Sequence, residues 1–219
     1  MMNREGILAE IADEVRVCTK CALAATRTQA VPGEGNAHAR LMFIGEGPGE
    51  QEDLTGRPFV GRAGQLLNRL LKDIGLRRED VFIANVVKCR PPDNRVPGDD
   101  EAAACNDWLM SQIAVVQPEI VGLLGGTALK WLLDANMRIT KVHGHLYRKD
   151  GILWMPFHHP AGALRRDEWL AQLEQDFLKL RDLLSRPIRE DEITDLVPRT
   201  SPASAVQVEP PSERNLSLF

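Results

Sequence analysis

The order of hydrophobic and polar positions predicts helices and strands that alternate along the chain. Apolar residues recur at helical spacing over residues 7–15, 66–74 and 169–184, and they predict amphipathic helices there. Two further helices are predicted, one after the acidic pair at 99–100 and one after the glycine pair at 125–126. Between these helices lie apolar runs that are too short to form helices of their own.

Four of these short runs predict strands, at residues 41–44, 81–87, 119–124 and 153–157. Pro156 weakens the last assignment, because proline donates no hydrogen bond to a neighbouring strand. Strands that alternate with helices are typical of a parallel sheet covered on both faces. The pattern therefore predicts an α/β fold with three α/β/α layers and a central, mostly parallel four-stranded sheet.

Composition changes after Ser185, which we take as the end of the domain. The chain has 219 residues, 43% of them hydrophobic, and residues 1–185 suffice for one domain with one core. From residue 186 onward Pro, Ser, Arg and Glu dominate, a composition that buries too little apolar surface to fold. We therefore expect residues 186–219 to form a disordered tail.

Charge and hydropathy argue against two classes of protein. The formal net charge is −4, from 27 basic and 31 acidic side chains, which argues against a polycation that coats nucleic acid but permits a local basic groove. No apolar run approaches the ~18 residues of a membrane span, and no secretory signal is evident. We expect a soluble, cytoplasmic protein that acts as a monomer.

The four cysteines, Cys18, Cys21, Cys89 and Cys105, suggest a metal site. Persistent disulfides are rare in a reducing cytosol. Four thiolates suit a structural zinc ion, and a four-thiolate iron–sulfur cluster fits equally well. Buried, reduced cysteines without a metal are a third interpretation. The spacing leaves these alternatives open, and either metal would tie the N-terminal segment to the middle of the chain.

Polar residues lie at the ends of three predicted strands, where α/β proteins bind ligands. The sequence Gly-Glu-Gly-Pro-Gly occupies residues 45–49, Asn85 lies near the end of the second strand, and His158 and His159 follow the last. Asn is unfavourable in strands, and a residue that breaks local propensity often marks function. A phosphate-binding loop is disfavoured, because residues 45–49 lack a Gly-Lys-Ser/Thr ending and Glu46 would repel phosphate. Glu46 instead suits a site for water or a neutral ligand.

Four blocks of sequence carry a family resemblance. They are residues 45–49, Thr-Gly-Arg-Pro-Phe-Val-Gly-Arg-Ala-Gly at 55–64, Asn-Val-Val-Lys-Cys-Arg-Pro-Pro at 85–92, and His-Pro-Ala at 159–161. In this order they resemble family 4 of the uracil-DNA glycosylases. The resemblance implies a base-excision repair enzyme, associated with the nucleoid, that hydrolyses the N-glycosidic bond of uracil in DNA. The same four cysteines are similar to the family's cluster ligands, so the resemblance also implies a [4Fe–4S] cofactor.

The resemblance implies that three residues recognise uracil. Phe59 would stack on the flipped base, as aromatic rings stack on any base. The amide of Asn85 would accept a hydrogen bond from uracil N3–H and donate one to O4, a pattern that cytosine reverses. His159 would donate to O2 as negative charge develops on the departing base. Its position directly before Pro160 favours it over His158.

Roles in the first loop follow from the same resemblance. Gly45 and Gly47 would let the backbone approach the substrate closely, and the Gly47 N–H would be a second donor. Glu46 would position the attacking water or stabilise the cationic sugar. Other uracil glycosylases place an Asp in this loop, but the residue after Glu46 here is Gly47. We therefore expect a dissociative mechanism in which stabilisation of the leaving group dominates. Three nearby carboxylates are expected to lie on the surface: Glu50, Glu52 and Asp53.

DNA contacts are expected directly after the His159 block. Leu164 would wedge into the gap left by a flipped nucleotide, and Arg165 and Arg166 would hold phosphates. Further phosphate candidates are Lys88, Arg90 and Arg95. The alternative function is a non-catalytic iron–sulfur DNA-binding or replication accessory module, which would need no Asn held opposite a glycine-rich loop.

The sequence Asn215-Leu216-Ser217-Leu218-Phe219 resembles the short peptide with which bacterial repair and replication proteins bind the sliding clamp. That peptide is usually Gln-Leu-Ser/Asp-Leu-Phe, so Asn215 stands where it has Gln. The resemblance implies that Leu216 to Phe219 bind the clamp. A flexible tether of this kind would raise the concentration of the enzyme on replicating DNA.

Overall fold

The computed structural model describes residues 3–196, which form seven strands and eight α-helices. The strands are β1 (Glu34–Gly35), β2 (Leu41–Gly45), β3 (Phe82–Asn85), β4 (Ile120–Leu124), β5 (Leu146–Lys149), β6 (Ile152–Phe157) and β7 (Ile193–Asp195). The helices are α1 (Arg4–Val17), α2 (Glu50–Thr55), α3 (Arg62–Asp73), α4 (Asp99–Val116), α5 (Gly126–Leu132), α6 (Ile139–Val142), α7 (Pro160–Ala163) and α8 (Asp167–Ser185). The clamp-like peptide at 215–219 lies outside the described residues.

One sheet contains all seven strands, in the order β1-β3-β2-β4-β6-β5-β7. Its centre is the parallel block β3-β2-β4-β6, and these are the four strands that the sequence predicts. The α/β fold with a mostly parallel sheet is therefore confirmed. The prediction of four strands is corrected to seven, because three more strands flank the parallel block.

The three additional strands are short, which is why the hydrophobic pattern does not reveal them. β1 has two residues and β7 has three. β5 forms a hairpin with β6 through Asp150 and Gly151, whose φ angles of 52° and 76° suit a tight two-residue turn. The sheet accommodates Pro156 because β5 pairs only with the first half of β6, from Ile152 to Trp154.

Ordered structure continues past Ser185, which corrects the predicted start of a disordered tail. Arg186 forms ion pairs with Asp182 and Glu192, and β7 pairs with β5 at the edge of the sheet. Residues 186–196 are therefore part of the folded domain. Their composition is too polar for a core of their own, but the domain offers this segment a strand edge and charged partners.

Helices cover both faces of the sheet and complete the three predicted layers. On one face α1 and α4 bury Ile11, Leu109 and Ile113, and on the other α3 and α8 bury Leu67 and Phe177. Burial of these two apolar faces is the main stabilising term of the fold. Within residues 3–196 no helix is long and apolar enough to span a membrane.

Candidate active site

The carboxyl ends of the central strands surround a cavity of about 360 Å³. Five of the residues predicted to bind substrate line it: Glu46, Gly47, Phe59, Asn85 and His159. Gly45 lies directly beneath Phe59 and Asn85. A larger cavity of about 990 Å³ lies at the opposite ends of the strands, beside Arg40 and Glu119, and none of the predicted site residues lines it. The candidate site is therefore the smaller cavity.

Asn85 presents a buried amide at the end of β3, level with Gly45 at the end of β2. Its side chain is 1% exposed, and Oδ1 has no hydrogen-bond partner among the described residues. A buried acceptor without a partner costs about 1–3 kcal/mol. A ligand that brings an N–H group to this oxygen would recover that cost.

Phe59 is held over the strand ends in an unusual backbone conformation. Its φ is 49°, in the left-handed region that non-glycine residues rarely adopt, and such strain is frequent at functional sites. Gly64 makes this conformation possible, because a Cβ at that position would overlap the backbone of Phe59. The Phe59 ring lies 5.9 Å from the His159 ring, centroid to centroid, at 30°. The two rings thus border the same cavity.

His159 has a fixed tautomer and no charge at neutral pH. It caps α7, and its Nδ1 accepts a hydrogen bond of 3.1 Å from the Ala161 N–H. An accepting Nδ1 leaves the ring proton on Nε2, which is therefore available as a donor. Burial lowers the pKa of His159 to about 4.

The low pKa of His159 predicts a loss of stability in acid. The unfolded chain binds a proton near pH 6.5, whereas the folded imidazole stays neutral until about pH 4. The contribution to stability is therefore complete above pH 6.5 and is lost as the pH falls toward 4. Between pH 7 and pH 5 the wild type should lose about 2 kcal/mol more unfolding free energy than His159→Gln. Urea titrations of both proteins at the two pH values would measure this difference, and equal losses would contradict the burial of the ring.

Glu46 lies beside a hydroxyl group that the sequence did not suggest. The Thr127 Oγ1 donates a hydrogen bond to Glu46 Oε2, so the carboxylate is fixed at the cavity wall. Thr127 follows β4 at the start of α5, and it reaches the site because β4 is the neighbour of β2. The signal available in the sequence was a polar residue directly after the glycine pair at 125–126, beyond the end of a third central strand.

Comparison with known proteins identifies the family. A family model described as the uracil DNA glycosylase superfamily matches residues 32–183. The chain belongs to this superfamily.

Individual relatives agree with the family match. The chain is 49% identical over 167 residues to a Type-4 uracil-DNA glycosylase of Thermotoga maritima, and the match covers 75% of this chain and 87% of the relative. It is 50% identical over 191 residues to a Type-4 uracil-DNA glycosylase of Saccharolobus solfataricus, with 83% and 88% covered. A Type-5 uracil-DNA glycosylase of Pyrobaculum aerophilum is 31% identical over 148 residues, with 60% and 65% covered. The predicted family is confirmed.

Two carboxylates of this superfamily member are structural, contrary to their predicted surface roles. Glu52 accepts hydrogen bonds of 2.8 Å from the N–H groups of both Val60 and Gly61, and so it fixes the loop that carries Phe59. Asp53 is buried and accepts from the Thr28 N–H. Glu50 is exposed, as expected. The sequence could not indicate which side of α2 faces the loop.

The segment after α7 carries the residues predicted to contact DNA. Leu164 is 39% exposed, so its side chain is accessible beside the cavity residue Arg165. Arg165 lines the cavity, and the Arg166 guanidinium lies over the Trp169 ring. An exposed Leu between the turn at His159 and two cations has the composition expected of a DNA-facing edge.

The other basic candidates differ in their surroundings. The prediction that Lys88 binds a phosphate is wrong. This lysine is 1% exposed, and its Nζ donates hydrogen bonds to the Asn85 carbonyl at 3.0 Å and to Gln112 Oε1 at 2.7 Å. It therefore cannot reach a phosphate. Arg95 forms an ion pair with Glu101, and Arg90 donates to Asn94.

The four cysteines line a single cavity, although they come from distant parts of the chain. Cys18 and Cys21 are partly buried, and Cys89 and Cys105 are buried. Burial raises the pKa of Cys105 to about 11 and also raises that of Cys89. Thiols in such surroundings stay protonated unless a cation compensates the thiolate charge.

Hydrogen-bond donors already face two of these sulfur atoms. Arg27 Nη1 lies 3.1 Å from Cys89 Sγ, and the Lys88 N–H lies 3.3 Å from Cys105 Sγ. Across residues 3–196 no group of three or more His, Cys, Asp or Glu side chains is arranged to hold a single metal ion. The four thiols around one cavity are the donor type that a thiolate-bound metal or iron–sulfur cluster needs.

Proposed function

We propose that the protein hydrolyses the N-glycosidic bond between uracil and deoxyribose in DNA and leaves an abasic site. One observation carries the proposal: among the described residues, the buried Asn85 Oδ1 has no hydrogen-bond partner, and it lies in a cavity bordered by Phe59 and His159. Uracil presents N3–H to such an acceptor, and its flat ring suits a slot beside an aromatic side chain. The Type-4 relatives are named for the same reaction.

Base selection follows from the buried amide of Asn85 at the end of β3. With Oδ1 accepting from N3–H, the Asn85 NH₂ group donates to O4 of uracil. Cytosine has an acceptor at N3 and an amino donor at C4, so both contacts would become repulsive. A site that hydrogen-bonds its substrate discriminates strongly, because the wrong base leaves buried groups unpaired.

Cleavage of the bond places the electron pair of C1′–N1 on the departing base. His159 Nε2–H donates to uracil O2, where negative charge develops, and the Gly47 N–H serves as a second donor. A neutral imidazole suits this role, because it stabilises the anion without transferring its proton. Glu46, held by the Thr127 hydroxyl, stabilises the cationic sugar and orients the water that adds to C1′. The proton that this water loses passes to the uracil anion, so the products are neutral uracil and the hydrolysed sugar.

Extrusion of the nucleotide from a duplex costs a few kcal/mol. We assign Leu164 to the space that the uracil leaves in the base stack, and Arg165 and Arg166 to phosphates of the same strand. The exposure of Leu164 and the position of Arg165 at the cavity support these roles.

An excision assay tests the proposed reaction. A labelled duplex with one uracil should be cut after alkaline treatment, whereas duplexes with cytosine or thymine at that position should stay intact. No cut by a folded protein that still binds the oligonucleotide would favour the alternative, a non-catalytic DNA-binding or accessory module.

We propose a [4Fe–4S] cluster as the group bound by Cys18, Cys21, Cys89 and Cys105. The shared cavity and the two N–H···S contacts fit such a cluster, and the similarity of the four cysteines to the cluster ligands of family 4 favours it over zinc. When bound, the cluster would tie the segment after α1 to the start of α4, and no step of the hydrolysis requires an electron. Purified protein should contain about four iron and four sulfide ions per chain. One zinc ion per chain would contradict the assignment.

We also propose that residues 215–219 bind the sliding clamp, on the strength of the sequence resemblance. Deletion of residues 216–219 should abolish pull-down by the clamp and leave excision from a free oligonucleotide unchanged, because these residues lie outside the matched domain. Clamp binding that survives the deletion would refute the assignment. Removal of four residues from the segment at 201–204 provides a length-matched control.

A further inference from the structure

A column of stacked planar side chains runs from the expected DNA-facing edge into the core. The Arg166 guanidinium carbon lies 4.2 Å from the centroid of the Trp169 ring. Trp169 stacks on His158, with centroids 4.7 Å apart at 18°, and His158 packs on His143 at 4.5 Å. His143 Nδ1 forms a hydrogen bond of 2.7 Å with Asp176 Oδ2. We call these five residues the Arg166 column.

The inner end of the column is rigid. His158 and Asp176 are each 1% exposed. The Gly144 backbone lies so close to Asp176 that a Cβ at this glycine would overlap the carboxylate. Burial lowers the pKa of His158, and its ring lies between those of Trp169 and His143. The Trp169 ring therefore rests on a support that cannot shift without disturbing the core.

Packing contacts also fix the outer end of the column, which consists of Trp169 and Arg166. Trp169 packs against Gly162 of α7, where an added Cβ would lie 2.9 Å from the indole. Arg166 differs from arginines such as Arg69, which pairs with Glu174, because it has no carboxylate partner within residues 3–196. One face of the guanidinium thus covers the indole, and its N–H groups have no hydrogen-bond partner in the part of the chain that the structure describes.

A guanidinium that is stacked on a ring and presents its N–H groups to solvent is well placed to bind a phosphate. Arginine presents parallel N–H groups that match two phosphate oxygens, and it can stack on an aromatic ring at the same time. A long exposed side chain normally loses rotamer freedom when it binds, and prior stacking removes part of that cost. Trp169 itself would not need to touch the DNA.

We propose that Trp169 is a positioning residue, which holds the Arg166 guanidinium toward a phosphate of the strand that carries the flipped uridine. His158, His143 and Asp176 fix the plane of Trp169 from behind. The inference rests on the proposed function, since it assumes that the edge around Leu164 and Arg166 meets DNA. It deepens that function by assigning a role to a side chain that lines no part of the active-site cavity.

A double-mutant cycle tests the proposal. The full-length variants Trp169→Leu, Arg166→Gln and the double substitution would be titrated with a duplex that contains one abasic-site analogue, at several salt concentrations. Arg166→Gln should weaken binding several-fold and reduce the slope of log K against log salt by about 0.9, the value for one phosphate contact. Trp169→Leu should shift both quantities toward those of Arg166→Gln. The double variant should bind no more weakly than Arg166→Gln alone.

Controls separate positioning from general damage to the fold. Arg40→Gln removes one cation at the opposite ends of the strands, where Arg40 pairs with Glu119, and it should leave the salt slope at the wild-type value. Trp169→Phe keeps an aromatic face and should restore most of the binding that Trp169→Leu loses. Single-turnover excision at saturating DNA should change less than about twofold in Trp169→Leu, since positioning of a phosphate contact acts on KM.

Distinct outcomes would overturn the idea. A salt slope that Trp169→Leu leaves unchanged, or losses from the two substitutions that add in the double variant, would show that Trp169 does not act through Arg166. If Arg166→Gln left the slope of log K against log salt unchanged, Arg166 would not contact a phosphate. Failure of the wild type to excise uracil would refute the proposed function, and the binding cycle would still report on the column.

Discussion

Asn85→Ala is expected to lower kcat/KM for uracil excision about 10³-fold. The substitution removes two hydrogen bonds to the base and leaves N3–H and O4 of a buried uracil unpaired. Each loss is worth about 2 kcal/mol, and about 4 kcal/mol corresponds to the stated factor. Excision of uracil from a labelled duplex under single-turnover conditions would measure the effect.

The same variant separates a substrate-reading Asn from a structural one. Because Asn85 Oδ1 has no partner among the described residues, the free protein should keep its melting temperature or gain a little when the amide is removed. Asn136→Ala makes the same chemical change at an exposed turn outside the cavity and should leave excision unchanged. A loss of stability in Asn85→Ala with near-normal activity would assign Asn85 to the core.

The position of the site could be predicted from sequence because two simple rules converge. Four apolar runs separated by helices imply a parallel sheet, and parallel strands bring their carboxyl ends to one edge. The glycine-rich loop at 45–49, Asn85 and His159 are each next to such an end. Asn85 also breaks strand propensity, which marks it without any knowledge of its neighbours.

The wrong predictions for Lys88 and Glu52 and the failure to find Thr127 have one physical cause. The position of a residue in the sequence does not determine the direction in which its side chain points. Lys88 lies between Asn85 and a cysteine, and basic residues near a DNA-binding site are usually exposed, yet this lysine points inward to a carbonyl and an amide. In the sequence Glu52 resembles any carboxylate on the surface of a helix, but it accepts hydrogen bonds from two backbone N–H groups in the loop that follows α2. Thr127 acts on Glu46 across 81 residues. Such contacts depend on tertiary packing, which local patterns do not encode.

The edge strands show the same limit for the backbone. β1 and β7 are too short for a period-2 pattern, and their stability depends on an existing strand beside them. The segment after Ser185 has a composition typical of disorder, and it folds because β5 offers an open edge and Arg186 offers ion pairs. Composition describes what a segment can do alone, and it does not report the partners that the rest of the domain provides.

Gly45→Ala is expected to lower kcat/KM for excision by about 10²-fold or more, although it adds only a methyl group. A Cβ at this position would lie 2.5 Å from both Asn85 Oδ1 and Phe59 Cζ, so the amide and the ring must both move from where they border the uracil slot. A displacement of about 1 Å in groups that orient a substrate costs about that factor. Overpacking should also lower the unfolding free energy by about 1–3 kcal/mol.

The effect of Gly45→Ala should be confined to the base pocket, and this makes the variant informative. Affinity for a duplex without uracil should stay within about twofold of wild type, because the proposed phosphate contacts, Arg165 and Arg166, lie on a different segment. Gly126→Ala is the matched control: it adds the same methyl group after the neighbouring strand β4, where a Cβ meets no atom within 4 Å, and it should be nearly silent. If the two variants excise uracil equally well, the space between Gly45, Phe59 and Asn85 is not where the base binds. If only Gly45→Ala fails, and duplex affinity is preserved, the loss lies in the slot that the missing Cβ leaves open. Glycine at the end of β2 is then required by the substrate as well as by the fold.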